Sequence, residues 1–134
     1  MKFLVLLVLV GGCALPSGFF DHKVTNLTPT RYPRTPTSIY TVTMEFTSNE
    51  TALKHETIKA EVLVSGHNAT YPMKRLPGSV LTNRWEAAIG PLKPAETNLF
   101  YRIKVSWKSE GIPEPRPNSL LEPKTGPRNL KIVD

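Results

Sequence analysis

What most constrains this chain is a period of two in its apolar residues. Between Ile39 and Thr47, the side chains of Tyr40, Val42, Met44 and Phe46 fall on one side of an extended backbone, and Thr41, Thr43, Glu45 and Thr47 fall on the other. Successive side chains of a strand point to opposite faces, so this spacing predicts a half-buried β-strand, and a slip of one residue would expose the whole apolar row. The pattern returns in Ile58, Ala60, Val62 and Val64 against Lys59 and Glu61, and in Trp85, Ala87 and Ile89 against Arg84, Glu86 and Ala88. It is longest in Tyr101, Ile103, Val105 and Trp107 against Arg102, Lys104 and Ser106, and Leu130 and Ile132 repeat it around Lys131. Helical spacing is almost absent: Thr51 to Thr57 fits one turn, and the 13 prolines break the other candidates. Two weaker segments, Val24 to Tyr32 and Ala69 to Arg75, bring the expectation to about seven strands, with Pro29 and Pro33 restricting the first to a sheet edge or strand ends. Strands with one apolar face each bury that face by stacking two antiparallel sheets, so the predicted fold is an all-β sandwich.

The 134 residues have room for one such domain, and 40% hydrophobic against 21% charged residues is enough apolar material to fold. The net charge of +6 admits an acidic partner but most often forms nothing more than a solvated surface.

The N-terminus has a different character. Met1 to Leu15 places one cation, Lys2, before an unbroken apolar stretch from Phe3 to Val10, followed by Gly11, Gly12, Cys13 and Ala14. This is the layout of a secretory signal peptide, and the stretch is too short for a membrane span, which takes about 20 residues. Val10-Gly11-Gly12-Cys13 resembles the bacterial lipobox, in which an aliphatic and two small residues precede the cysteine that receives lipid. The resemblance implies a signal peptide over 1–12, lipidation of Cys13, a tether over 13–21 and a domain over 22–134. In the lipoprotein family Ala14 after the cysteine implies no retention at the inner membrane, hence an outer-membrane or cell-surface anchor. An ordinary cut after Ala14 is the competing reading and would discard Cys13; lipidation accounts for the only thiol of an exported chain. Acyl chains buried in a bilayer contribute about 0.8 kcal/mol per methylene, enough for firm anchoring when more than one is attached. Phe19 and Phe20 in the tether are expected to pack on the domain. Asn26-Leu27-Thr28, Asn49-Glu50-Thr51 and Asn68-Ala69-Thr70 match the N-glycosylation acceptor pattern, which is coincidental in a bacterium and marks surface sites in a eukaryotic secreted protein.

The segment Leu92-Lys93-Pro94-Ala95-Glu96-Thr97-Asn98-Leu99-Phe100-Tyr101-Arg102-Ile103-Lys104-Val105 resembles the fibronectin type III passage into its sixth strand. The resemblance implies a seven-stranded antiparallel immunoglobulin-like sandwich, with Tyr101 in the corner that ties loop to strand through its hydroxyl. The spacing from Thr97 to Tyr101 is longer than in that family, and neither a second-strand tryptophan nor a cysteine pair is present. From Trp107 to Arg128 runs a Pro-rich stretch, including Ile112, Pro113, Pro115, Arg116, Pro117, Leu120, Leu121 and Pro123, expected as an irregular excursion of about twenty residues; connections of that length are often functional. The alternative is a loop folded over a sheet edge to block aggregation.

Residues for chemistry are sparse. His22, His55 and His67 stand singly, without metal-ligand spacing. No serine sits in a nucleophile elbow, and no glycine-rich phosphate loop follows a strand. Glu45, Glu61 and Glu86 could be neighbours on outer faces, where pairing with Lys59, Arg84, Arg102 or Lys104 is the expected role. The chain is therefore expected to be no enzyme, to hold no cofactor or metal, and to bind no nucleic acid. The expected partners are the membrane, through the anchor, and another envelope protein or a glycan. Contact is expected through Phe100, Arg102 and Lys104 on one outer face, through Ile112, Pro113, Pro115, Arg116, Leu120 and Leu121, or by strand addition at a free edge. A carbohydrate-binding module is the second reading and requires exposed rings at Tyr71, Trp107 and Phe100; an accessory subunit of an envelope enzyme is the third.

Overall fold

The computed structural model describes residues 20–77 and 83–134. The chain forms β1 (His22–Asn26), β2 (Arg31–Pro33), β3 (Tyr40–Ser48), β4 (Leu53–Val64), β5 (Thr70–Pro72), β6 (Lys74–Arg75), β7 (Asn83–Ile89), β8 (Asn98–Ser109), β9 (Arg116–Glu122) and β10 (Arg128–Val133). No helix occurs among the described residues. One sheet has the order β1-β3-β7-β6; the other has the order β2-β10-β8-β4-β5, with β9 also beside β8. The signal peptide, Cys13 and Phe19 lie outside the described residues.

The apolar rows meet between the two sheets. Tyr40, Val42, Met44 and Phe46 from β3 and Tyr101, Ile103, Val105 and Trp107 from β8 are all buried, together with the alternating residues of β4, β7 and β10. The Phe46 and Trp107 rings lie 5.3 Å apart and join one sheet to the other. On the outside, Glu45 of β3 meets Arg84 of β7 at 3.3 Å, the cross-strand pairing expected of it.

Among the described residues ten strands replace the expected seven, for identifiable reasons. The segment from Val24 to Tyr32 breaks in two: β1 pairs with β3, and β2 joins the other sheet. Between them Thr28 is buried, its hydroxyl donating to the Thr43 carbonyl and accepting from the Thr43 N–H, so the backbone groups at the break are satisfied by a side chain. The segment from Ala69 to Arg75 breaks likewise at buried Met73, with β5 on β4 and β6 on β7. β2 runs parallel to β10, so the sheets are not wholly antiparallel. No helical turn forms at Thr51 to Thr57. β4 starts at Leu53 and runs along β8 through a bulge between Lys54 and Lys59, where the Thr57 hydroxyl accepts from the Lys108 N–H at 2.8 Å and donates to the Lys54 carbonyl at 2.6 Å.

The twenty-residue excursion is also corrected. β9 pairs with β8 from Ser109↔Arg116 to Ile103↔Glu122, and β10 resumes on the same side of β8 at Tyr101↔Arg128. Residues 123–127 bulge out of this edge, and the Arg102 guanidinium closes the bulge by donating to the carbonyls of Pro123 and Lys124 at 3.1 and 2.7 Å. At the far end of β7 the chain turns at Gly90, with φ at 128° and a Cβ position only 2.5 Å from the Ser38 carbonyl oxygen, where only glycine fits.

Tyr101 does not close a corner with its own loop. Its buried hydroxyl accepts from the Asn26 side-chain amide at 2.9 Å, tying β8 to the end of β1, while the Asn26 side-chain Oδ1 accepts from the Thr28 N–H. Tyr101→Phe leaves that amide without its acceptor and is expected to cost about 1–2 kcal/mol in urea unfolding. A neutral result would show that the bond does not hold β1.

Candidate interaction surface

The six residues between β8 and β9 form a hairpin tip. Pairing of Ser109 with Arg116 fixes its base, the Glu110 N–H donates to the Ala52 carbonyl at 2.8 Å, and Lys54 lies 3.6 Å from the Glu110 carboxylate. Ile112 stands at this tip with 99% of its surface exposed, and Pro113 is exposed beside it. Pro115 is half-buried, and Arg116, exposed at the start of β9, lies against Gly111. Leu120 packs against the edge of the core, whereas Leu121, half-buried, lies on the outer face opposite Lys104. The Pro-rich residues are therefore split between a tip, a strand edge and a bulge.

Phe100, Arg102 and Lys104 share the outer face of β8, but they do not form one free platform. Phe100 is 43% exposed. Arg102 is engaged with the bulge carbonyls, and Lys104 sits across from Glu61 of β4 in the ladder. The rings named for a glycan surface separate as well: Trp107 is buried in the core, and the half-buried Tyr71 shares its hydroxyl with the His67 ring at 2.9 Å. The other His67 nitrogen lies 3.5 Å from Glu96.

One cluster carries no signal in the sequence. Glu50, in the turn from β3 to β4, meets His22 at the start of β1 with Oε1 2.8 Å from Nε2, and both side chains are nearly buried. The turn is set by the Glu50 N–H donating to the Ser48 hydroxyl and the Asp21 N–H donating to the Asn49 side chain. Burial pushes the Glu50 carboxyl up, but hydrogen bonding from Ser109 and His22, the attraction of His22 and the nearby Trp107 indole N–H outweigh it, holding the group below the usual carboxylate value. The Trp107 N–H itself makes no bond of full geometry. The His22 ring lies tilted against the Trp107 ring with centroids 4.6 Å apart, and Phe20 follows at 6.2 Å from His22, packed as expected. Ser109 accepts from Asn118, so its oxygen is held between two partners and lacks the serine-to-histidine contact that activates a nucleophile. This arrangement pins β1, the β3–β4 turn and β8 together. Beside it a cleft of about 370 Å³ opens between β1 and β9, lined by Phe20, His22, Trp107, Asn118, Leu120 and Lys124.

No protein-family model matches the chain, and no curated protein matches it in sequence. Among solved structures it is similar to AggA, the major subunit of aggregative adherence fimbriae type I from Escherichia coli, with 9% identity, 85% of this chain and 95% of that chain covered, and a TM-score of 0.47.

Proposed function

We propose that this chain is an exported lipoprotein, anchored through Cys13, whose immunoglobulin-like domain serves without catalysis as an interaction module at the cell envelope. The observation that carries the interaction role is Ile112, a large apolar side chain left wholly in water at the tip of a braced hairpin. A proline on its C-terminal side limits the freedom that binding would have to remove, so docking Ile112 into an apolar recess of a partner protein costs little ordering entropy. The burial of Trp107 and the His67 bond of Tyr71 favour a protein partner over a glycan, which needs several exposed rings. The anchor rests on the run ending in Val10-Gly11-Gly12-Cys13.

The test uses the full chain. Cys13→Ser is expected to move it from the membrane fraction to the soluble fraction, and Ile112→Asp is expected to lose proteins that the unaltered chain retains in a membrane pull-down. Deleting the whole Pro-rich stretch would remove β9, whereas Ile112→Asp changes a side chain exposed to water. A Cys13→Ser chain that stays in the membrane sinks the anchor, and identical partners with and without Ile112 sink the tip.

A further inference from the structure

β9 is an edge strand whose outer backbone phase can be fixed. The Lys108 N–H donates to the Thr57 hydroxyl at 2.8 Å, so the Lys108 backbone faces β4 and turns away from β9. Backbone direction alternates along an antiparallel ladder, so Lys104 and Ser106 face β4 as well, and their partners Leu121 and Ser119, with Pro117 opposite Lys108, direct their backbone groups outward. Pro117 has no N–H to lose at that position. The outer edge of β9 thus offers the N–H groups of Ser119 and Leu121 and the carbonyls of Pro117, Ser119 and Leu121, and none of them has a backbone partner among the described residues.

We propose that β9 pairs with β9 of a second copy of this chain, antiparallel about Ser119, to form a two-fold dimer whose sheet continues from one domain into the other. The choice of a second copy rests on charge. Arg116 and Glu122 stand three residues on either side of Ser119 and share the core-side face of the strand, since they lie opposite Ser109 and Ile103 of β8. Neither forms an ion pair among the described residues. Reversed against itself about Ser119, the strand places each Arg116 opposite a Glu122 and each Leu121 opposite a Pro117. Facing Ser119 residues exchange two hydrogen bonds, and each Leu121 N–H reaches a Pro117 carbonyl. A slip of two residues in either direction separates the charges, so the pairing has one register. This is an isologous contact, in which one patch meets itself. The opposing effect is edge protection, for which a proline and a neighbouring bulge are common devices; here Pro117 withholds one donor and leaves two.

The dimer does not depend on the Ile112 tip; its test, made in the membrane with Cys13 as a lipidated and therefore unreactive thiol, rests on the proposed anchor, which the Cys13→Ser fractionation checks separately. The test is oxidative cross-linking of the full chain in the membranes where it resides. A directly opposed, hydrogen-bonded pair has Cα atoms about 5.5 Å apart, within reach of a disulfide. Ser119→Cys is expected to give a cross-linked dimer. Thr70→Cys, exposed on β5 at the far edge of the same sheet, and the unaltered chain are expected to give none. On the Ser119→Cys background, Arg116→Glu and Glu122→Arg should each lower the cross-linked fraction by about tenfold, since each turns two attractive pairs repulsive. Combining both reversals should restore it, and the single variants should keep the urea-unfolding midpoint of the Ser119→Cys chain, so that a lost cross-link is not a lost fold. Equal cross-linking at positions 119 and 70, or a Ser119→Cys dimer indifferent to the charge reversals, overturns the proposal.

Discussion

Phe46→Ala is expected to destabilise the domain by about 3–5 kcal/mol, the usual cost of emptying a fully buried aromatic site. Phe46 is 1% exposed, belongs to the central strand β3, and its ring reaches the Trp107 ring of the opposite sheet. Its removal deletes apolar area and leaves a void between two ladders that cannot close, because each sheet is held by its own backbone bonds. For a domain of this size the thermal midpoint should fall by more than about 10 °C. Phe46→Leu keeps most of the volume and should cost less than about 1.5 kcal/mol. Thr47→Val, one residue along on the other face, should change little, within about 0.5 kcal/mol. Thermal and urea unfolding of the three variants measures the alternation directly. Equal losses at positions 46 and 47 would mean that β3 does not present one face to a shared interior.

That alternation is also why so much of the fold is legible in the sequence. β3, β4, β7, β8 and β10 each lie inside a sheet over much of their length, so burial on one face imposes the period, and the rows from Tyr40 and Tyr101 end up in the same interior. β9 gives no such signal. Its residues, Arg116-Pro117-Asn118-Ser119-Leu120-Leu121-Glu122, put only Leu120 against the core, because an edge strand has one neighbour and lies at the margin of the interior. A proline at position 117 reads as a breaker until it is known that its nitrogen faces outward. The splits at Leu27 to Thr30 and at Met73 are equally silent, since a strand that changes sheets keeps its extended backbone and changes only its partner. For the surface residues, composition identified cations and prolines but not their engagements. Arg102 reads as a free cation in the alternating row, whereas its guanidinium is committed to two carbonyls that exist only because the chain bulges after Glu122. His22 and Glu50 are 28 positions apart and meet only because β1 is paired to β3, so no local pattern could have joined them.

Glu50→Ala should cost about 2–3 kcal/mol near neutral pH, because it removes one acceptor from several buried donors at once. His22 and Ser109 bond to that carboxylate, and the Trp107 N–H lies near it. Glu50→Gln keeps the shape and one acceptor oxygen while removing the charge, so comparison with it isolates the ionised form. The folded carboxyl is held below its ordinary value of about 4.5, so the unfolded chain binds its proton first as the pH falls. The charge therefore contributes its full stabilisation above the unfolded value, and the contribution fades as the pH drops through the lower folded value. In urea unfolding, the margin by which the unaltered chain exceeds Glu50→Gln should shrink as the pH falls below about 4.5, toward zero in stronger acid. A margin that stays flat below about 4.5 would mean that folding does not favour the ionised carboxyl, and one that widens there would mean that folding favours its neutral form. The three strands would then be joined there by packing on Trp107 instead of by charge.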